Sequence, residues 1–240
     1  MPKPKTTRCQ KYYEALHSRC GAVLLQSFGT DASLQGACQN NAKLLDEWAQ
    51  ALSSRPEADV YVAAVREMQL AQLSLSLGQY RQAFMGLRLS LELGLAAIHF
   101  SAHELEYRKW VRDKADVKWS ELIDKKTGVL SPDFVAAFFE DLKDEALHYQ
   151  SLAEKAYREC SEYVHGNAHT HSGLPATLAF SEEAFRNWHS KADTIHLVVS
   201  FALCMRHLSY MDKGSVAKVC DGVRSTLGHV GPIRAMLDAK

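Results

Sequence analysis

The spacing of hydrophobic positions along the chain predicts helices almost throughout. Apolar residues recur three and four positions apart over long stretches, and β-branched residues rarely cluster. That period places the apolar side chains on one face of an α-helix. The pattern predicts helices at about residues 8–28, 32–53, 57–77, 79–100, 102–112, 132–142, 145–165, 182–212 and 215–227.

Particular residues mark several of the predicted helix boundaries. Pro56 suits a first helical turn, and Gly78 separates two long apolar segments. Ser131 followed by Pro132 is a helix start, with the serine as N-cap. Gly166 is a stop signal for the helix that precedes it.

One segment has an ambiguous pattern. Residues Leu87–Leu93 alternate strictly between apolar and polar, which is typical of a half-buried strand. The apolar run continues on both sides without a turn signal, and its residues are leucine and alanine rather than β-branched. We therefore predict a helix here and an all-α fold for the whole chain.

Composition adds a domain prediction to the all-α class. Apolar residues make up 47 % of the chain, enough for a full core. We predict a single helical domain over residues 1–240, with a core at 56–213. Residues 1–55 form an N-terminal helical hairpin extension to it, and residues 214–240 form a C-terminal helical tail.

The charge balance argues against nonspecific nucleic-acid binding, and the cysteines indicate the cellular compartment. Lys+Arg and Asp+Glu both number 28, so the chain lacks the basic excess of a nonspecific nucleic-acid binder. Action on RNA would need local positive charge. The six cysteines form no CxxC pair or zinc motif, and we expect them reduced and mostly packed, in a cytoplasmic protein.

Neither a signal peptide nor a membrane span is predicted. Residues Met1–Arg8 carry charge without an apolar segment behind them. The longest apolar run considered, Leu197–Met205, is too short to cross a bilayer.

The helix predicted at 145–165 carries the strongest candidate chemistry. At about 100° per residue, His165, Ser161, Glu162 and Glu154 fall within about 60° of Arg158. This stripe brings a guanidinium, a hydroxyl, carboxylates and an imidazole together. The opposite arc is apolar or aromatic, and consists of Tyr149, Leu152, Ala153, Ala156, Tyr157, Cys160, Tyr163 and Val164.

These groups are the ones that RNA cleavage without a metal requires. The negative end of the helix dipole favours a protonated imidazole at His165, which can then act as acid or base. Arg158 supplies a fixed positive charge for a phosphate oxygen, and Glu162, four residues later, can orient it. The competing interpretation is a solvated helix face that ends in a histidine and a glycine.

The helix predicted at 79–100 carries a second polar stripe in a mostly apolar segment. Its exceptions to apolar character, Arg81, Arg88, Glu92 and His99, fall close together on the helix. Arg88 and Glu92 are four residues apart and can pair. They are either a structural ion pair or a support for Arg158 and the stripe around it.

Two segments together resemble the HEPN domain family. Arg158–His165, with the sequence RECSEYVH, fits its Arg-x(4–6)-His signature, and Ser161–Asn167 looks like the fuller form in uncharacterised bacterial HEPN-like proteins. Gln79–Glu92 is similar to the earlier helix of such proteins, with the same R-x3-E polar pair. The resemblance covers roughly residues 60–170.

The resemblance implies a HEPN-like up-and-down helical bundle, extended here by N-terminal helices and a long C-terminal helix. It implies a homodimeric, metal-independent endoribonuclease of toxin–antitoxin or antiphage defence systems, with RNA as substrate and an antitoxin or defence protein as partner. No cofactor is implied.

The resemblance also assigns roles to individual residues. Arg158 and His165 match the catalytic pair, and Glu162 and Ser161 match helper positions. Asn167 is a further supporting position, together with Arg88 and Glu92. Family members silenced by nucleotidylation carry a tyrosine where this chain has Asn167. Some members bind without cleaving.

Three alternatives stand beside the ribonuclease hypothesis. The chain is a noncatalytic helical interaction or dimerisation module if the polar stripes form an interface. His165, His169 and His171 could bind a metal ion, although no carboxylate or thiolate follows at a usual ligand spacing. The basic and aromatic stretch Arg108–Trp119 could contact RNA, but acidic residues interrupt it.

Overall fold

A computed structural model describes residues 7–165 and 167–240 as a helical protein. These residues contain eleven α-helices and no strand, which confirms the predicted all-α class. The helices are α1 Arg8–Ala51, α2 Ala58–Ser76, α3 Tyr80–Ala102, α4 Glu104–Trp110, α5 Trp119–Leu122, α6 Pro132–Phe138, α7 Ala146–Ser161, α8 Ala168–Ser172, α9 Glu182–His207, α10 Lys213–Leu227 and α11 Gly231–Ala239. Two 3₁₀ helices span Glu140–Glu145 and Leu208–Tyr210.

The long helix α1 is interrupted at Asp31. This residue has φ −161° and ψ 87°, outside the helical region. Its carboxylate accepts hydrogen bonds from the backbone N–H groups of Ser33 and Leu34, and so caps the helix that continues. The break falls between the two helices predicted at 8–28 and 32–53.

Helices α2 and α3 pack side by side and form the largest contact between elements. Gly78 links them in a turn with φ +77°, a conformation that glycine adopts without strain. In α3, the side chains of Leu87, Leu91 and Leu95 are fully buried. The ambiguous alternating segment is therefore a helix, as predicted: leucines four residues apart are buried together on one face, whereas Leu89 between them is exposed.

Helix α3 also passes a length and composition test for a membrane span, and it is the one helix in the described ranges that does. In its most apolar window, 61 % of the residues are buried within the protein. The buried core helix of a soluble protein has the same length and apolar composition, so these two properties alone are weak evidence that α3 crosses a membrane. The apolar segment Leu197–Met205, which is too short to cross a bilayer, lies inside α9.

Several local predictions hold and others are wrong. Ser131 is the N-cap of α6 and accepts a hydrogen bond from the Phe134 N–H, as predicted. Pro56 lies in the turn before α2, because that helix begins only at Ala58. The pattern missed α5, α8 and α11, which are short helices outside the long periodic segments.

One hydrophobic core joins α1 to α11. Helix α9 lies at its centre, packed against α1, α3 and α7, while α10 packs on α1 and carries α11. The core includes residues from Cys38 in α1 to Leu237 in α11. All six cysteines are free thiols, and three of them, Cys38, Cys160 and Cys204, are buried.

Candidate functional site

The predicted site lies at the carboxyl end of α7. The helix ends at Ser161, four residues earlier than predicted, and residues 162–165 continue as hydrogen-bonded turns. The N–H of His165 still donates to the Ser161 carbonyl at 3.2 Å. His165 therefore follows the helix rather than belonging to its last turn. The predicted stop at Gly166 lies outside the described residues.

The two principal candidates, Arg158 and His165, are exposed to solvent. On the other face of α7, Ala153, Ala156 and Cys160 are buried in the core, as the apolar pattern predicted. Neither the Arg158 guanidinium nor the His165 ring forms a hydrogen bond or ion pair with another described residue. Both groups are free to meet a ligand.

The expected helpers of Arg158 have other surroundings. Glu162 is exposed, and no ion pair joins it to Arg158 within residues 7–165 and 167–240. The hydroxyl of Ser161 donates to the Tyr157 carbonyl at 2.6 Å, a bond within the helix. The nearby Glu159 pairs with Lys191 on α9, which ties α7 to the core.

The second polar stripe reaches α7 through Tyr157. The Arg88 guanidinium donates to the Tyr157 hydroxyl and lies 4.6 Å from the centre of its ring. Trp119 stacks on the same ring at a centroid distance of 3.7 Å. Of the Arg88–Glu92 pair, Arg88 therefore contacts the residue beside Arg158. No hydrogen bond or ion pair links them to Arg158 itself in the described ranges.

Arg81 holds the turn that carries His165. Its Nε donates to the Tyr163 carbonyl at 2.9 Å, and a terminal nitrogen donates to the Val164 carbonyl at 3.1 Å. Phe84 stacks on the Tyr163 ring at 3.9 Å. Two backbone carbonyls of this turn are thus bound by a guanidinium from α3.

Sequence reasoning missed Arg81, Tyr157 and Trp119. Arg81 was visible as a polar exception on an apolar helix, but its partners are backbone carbonyls, which no side-chain pattern reports. Tyr157 stands at the border between the polar and apolar arcs of α7, a place where an aromatic ring with a hydroxyl suits both sides.

A cavity of about 450 Å³ opens between α2 and α3, next to the end of α7. Its lining residues are Glu67, Leu70, Ala71, Ser74, Gln82, Met85, Gly86, Arg88, Leu89, Glu92 and Val164. Burial raises the pKa of the Glu92 carboxyl, and the Arg88 charge offsets part of that rise. The cavity does not include Arg158 or His165; it adjoins them through Val164.

A smaller cavity of about 230 Å³ lies on the other side of the turn, lined in part by Glu162, His169 and Glu183. Thr170 on α8 donates to the carbonyls of Asn167 and Glu162. In the part of the chain that the structure describes, no three histidine, cysteine or acidic side chains come close enough to hold a metal ion.

The carboxyl end of α7 and the turn after it thus expose the Arg158 guanidinium and the His165 imidazole. Arg81 of α3 binds the backbone of that turn, and a cavity lies on each side of it. This chain matches no protein-family model, and neither a curated protein nor a solved structure matches it.

Proposed function

We propose that the protein is a metal-independent endoribonuclease of the HEPN type that cleaves RNA with Arg158 and His165. One observation carries the proposal: both side chains are exposed and unpartnered, while Arg81 binds the backbone carbonyls before His165 and Arg88 contacts Tyr157, the neighbour of Arg158. Groups that are open to a ligand, on a backbone that other residues hold in place, are suited to a catalytic role, and binding of RNA or of a second copy would order the two side chains.

The chemistry follows from the two groups. The 2′-hydroxyl of RNA loses its proton and attacks the adjacent phosphorus, and the 5′-oxygen of the next nucleotide leaves with a proton. His165 accepts the first proton or donates the second. Arg158 neutralises the charge that develops on the phosphorane oxygens. The products carry a 2′,3′-cyclic phosphate and a 5′-hydroxyl.

The proposal includes a homodimer and a cytoplasmic role. Arg158 and His165 line neither of the two cavities beside them, so a second copy would supply the opposite wall of the cleft. RNA bound in this cleft would then meet the positive charge of Arg158 from both copies, although the net charge of the chain is zero. The physiological setting we propose is a toxin–antitoxin or antiphage system with a protein partner.

The test is RNA cleavage by purified protein in EDTA, with analysis of the ends produced. Arg158→Ala and His165→Ala are compared with Arg19→Ala and His17→Ala, which change exposed residues of the same types on α1. The proposal predicts cyclic-phosphate ends, insensitivity to EDTA, and a loss of about 100- to 10,000-fold for the α7 variants alone. Cleavage that EDTA abolishes would contradict it.

A second candidate function is a noncatalytic helical interaction module. It is favoured by the exposed apolar side chains Leu70, Leu73, Met85 and Leu89 on adjoining faces of α2 and α3, because exposed apolar patches mark protein interfaces. Under this alternative, Leu73→Glu and His165→Ala would each change self-association or partner capture, and His165→Ala would leave RNA and growth unchanged.

A further inference from the structure

The cavity between α2 and α3 has apolar walls and a polar end. Leu70 on α2, Met85 and Leu89 on α3, and Val164 after α7 supply the walls. Its volume of about 450 Å³ lies in the range of small-molecule sites, which are mostly apolar with a few polar groups that fix orientation.

The polar end has unused hydrogen-bonding capacity. The Nε of Arg88 is buried and has no partner among the described residues. The Glu92 carboxylate accepts no hydrogen bond in the same ranges and lies 3.9 Å from the guanidinium, beyond hydrogen-bond distance. A buried donor without a partner is costly. Both residues line the cavity, so the Glu92 carboxylate offers it an acceptor and the Arg88 guanidinium offers it N–H donors.

We propose that this cavity binds a guanine base. The Watson–Crick edge of guanine presents the O6 acceptor beside the N1–H and N2–H donors. Arg88 would donate to O6, and the Glu92 carboxylate would accept from N1–H and N2–H together. Adenine, cytosine and uracil each offer a carboxylate only one such ring or amino donor position on that edge. Guanine alone offers two adjacent donors to a carboxylate together with an acceptor for the guanidinium.

The position of the cavity links the base to the cleavage site. Val164 lines the cavity and immediately precedes His165, and Tyr157, which binds Arg88, immediately precedes Arg158. Consecutive Cα atoms are about 3.8 Å apart, so the cavity lies next to the backbone that carries the candidate catalytic pair, and an RNA strand whose base enters the cavity would run from there to Arg158 and His165. This part of the inference rests on the proposed function: RNA would be cut next to guanosine.

The experiment measures binding of guanosine 3′-monophosphate, with the adenosine, cytidine and uridine monophosphates as comparisons, by isothermal titration calorimetry. The protein is the full chain carrying Arg158→Ala, so binding is read without any cleavage. Glu92→Gln is the test variant, because it keeps the side-chain shape and removes one of the two acceptors. Glu104→Gln, at an exposed glutamate of α4, is the matched control.

The expected result is preferential binding of the guanosine nucleotide, weakened about 10- to 100-fold by Glu92→Gln, as for the loss of one bidentate base contact, and unchanged by Glu104→Gln. Equal binding of all four nucleotides, or no binding, would overturn the proposal. So would a dimer that Met85→Glu dissociates while Glu92→Gln has no effect, since a second copy would then fill the cavity.

These outcomes separate the cavity from the ribonuclease. Guanosine binding that depends on Glu92, found together with RNA that stays intact, supports the pocket and counts against cleavage. RNA cleavage lost with His165→Ala but without preference for guanosine, together with no nucleotide binding, retains the ribonuclease and rejects the pocket.

Discussion

Arg158 lies on α7 and His165 in the turn that follows it, and neither side chain packs against another described residue. Surface side chains without contacts usually change the free energy of unfolding by less than about 0.5 kcal/mol when replaced. We expect Arg158→Ala and His165→Ala to unfold in urea with the wild-type midpoint. A large loss of stability in either variant would show a structural role and would confound any loss of cleavage.

Arg81 is a positioning residue at the same scale. Removing its guanidinium leaves the carbonyls of Tyr163 and Val164 without their partner. We expect Arg81→Ala to destabilise the protein by about 1–3 kcal/mol. It should also speed hydrogen exchange at the His165 amide.

The control for that prediction is Arg108→Ala, at an exposed arginine paired within α4. In cleavage assays, Arg81→Ala should lower kcat more than it raises KM, and Arg81→Lys should restore part of kcat. An Arg81→Ala variant with wild-type exchange at His165 would show that the turn is held by other contacts.

At the scale of elements, the α2–α3 pair depends on a close approach at Gly86. A Cβ atom built there would stand 2.8 Å from the Ala71 Cβ and 3.3 Å from its Cα. Neither atom can move without shifting α2. We expect Gly86→Ala to destabilise the protein by about 1–3 kcal/mol, measured by urea or thermal unfolding.

The matched control is Gly21→Ala in α1, where an added Cβ would meet no atom within 4 Å. This change should be neutral or stabilise by up to about 1 kcal/mol, because alanine favours the helix over glycine. If both variants have the same stability, the close packing of α2 against α3 is not a constraint.

The elements also show how far the sequence could be interpreted. Periodicity located α7 and assigned its buried face, because burial of Ala156 and Cys160 follows from spacing alone. It could not find that Arg81 binds the Val164 carbonyl or that Arg88 contacts Tyr157. Those contacts depend on how α3 lies against α7, which no local pattern encodes.

Predicted ends were less accurate than predicted faces. The helix that carries Arg158 ends at Ser161 and not at residue 165. In the turn that follows, Arg81 donates hydrogen bonds to the carbonyls of Tyr163 and Val164. The one-turn helix α8 lies between the helices predicted at 145–165 and 182–212, where the pattern predicted none. The cavity between α2 and α3 is likewise a property of tertiary packing, although Arg88 and Glu92 were singled out from the sequence.

For the whole molecule, buried histidines on α9 predict a stability that falls in mild acid. Burial lowers the pKa of His189 and of His196 from 6.5 to about 4. Between these values the unfolded chain binds protons that the folded protein excludes. The free energy of unfolding therefore decreases as the pH falls from about 6.5 to about 4.

The measurement is urea unfolding at several pH values between 7 and 4.5. In a variant with His189→Gln and His196→Gln, the acid-induced loss should shrink by up to about 5 kcal/mol, because each histidine contributes about 1.4 kcal/mol for every pH unit between about 6.5 and 4.5. His17→Gln, at an exposed histidine of α1, should leave the pH dependence unchanged. If the free energy of unfolding of the double variant depends on pH as in the wild type, other groups cause the acid sensitivity.

The central claim, that Arg158 and His165 cleave RNA, is tested most directly by expressing the protein in a bacterium and examining growth and total RNA. The wild type is compared with Arg158→Ala and His165→Ala, with Arg19→Ala and His17→Ala as controls and with equal protein levels verified. The account predicts growth arrest with fragmented RNA for the wild type and the controls, and intact RNA for both α7 variants. RNA fragmented equally by all five proteins, or left intact by the wild type, would contradict it.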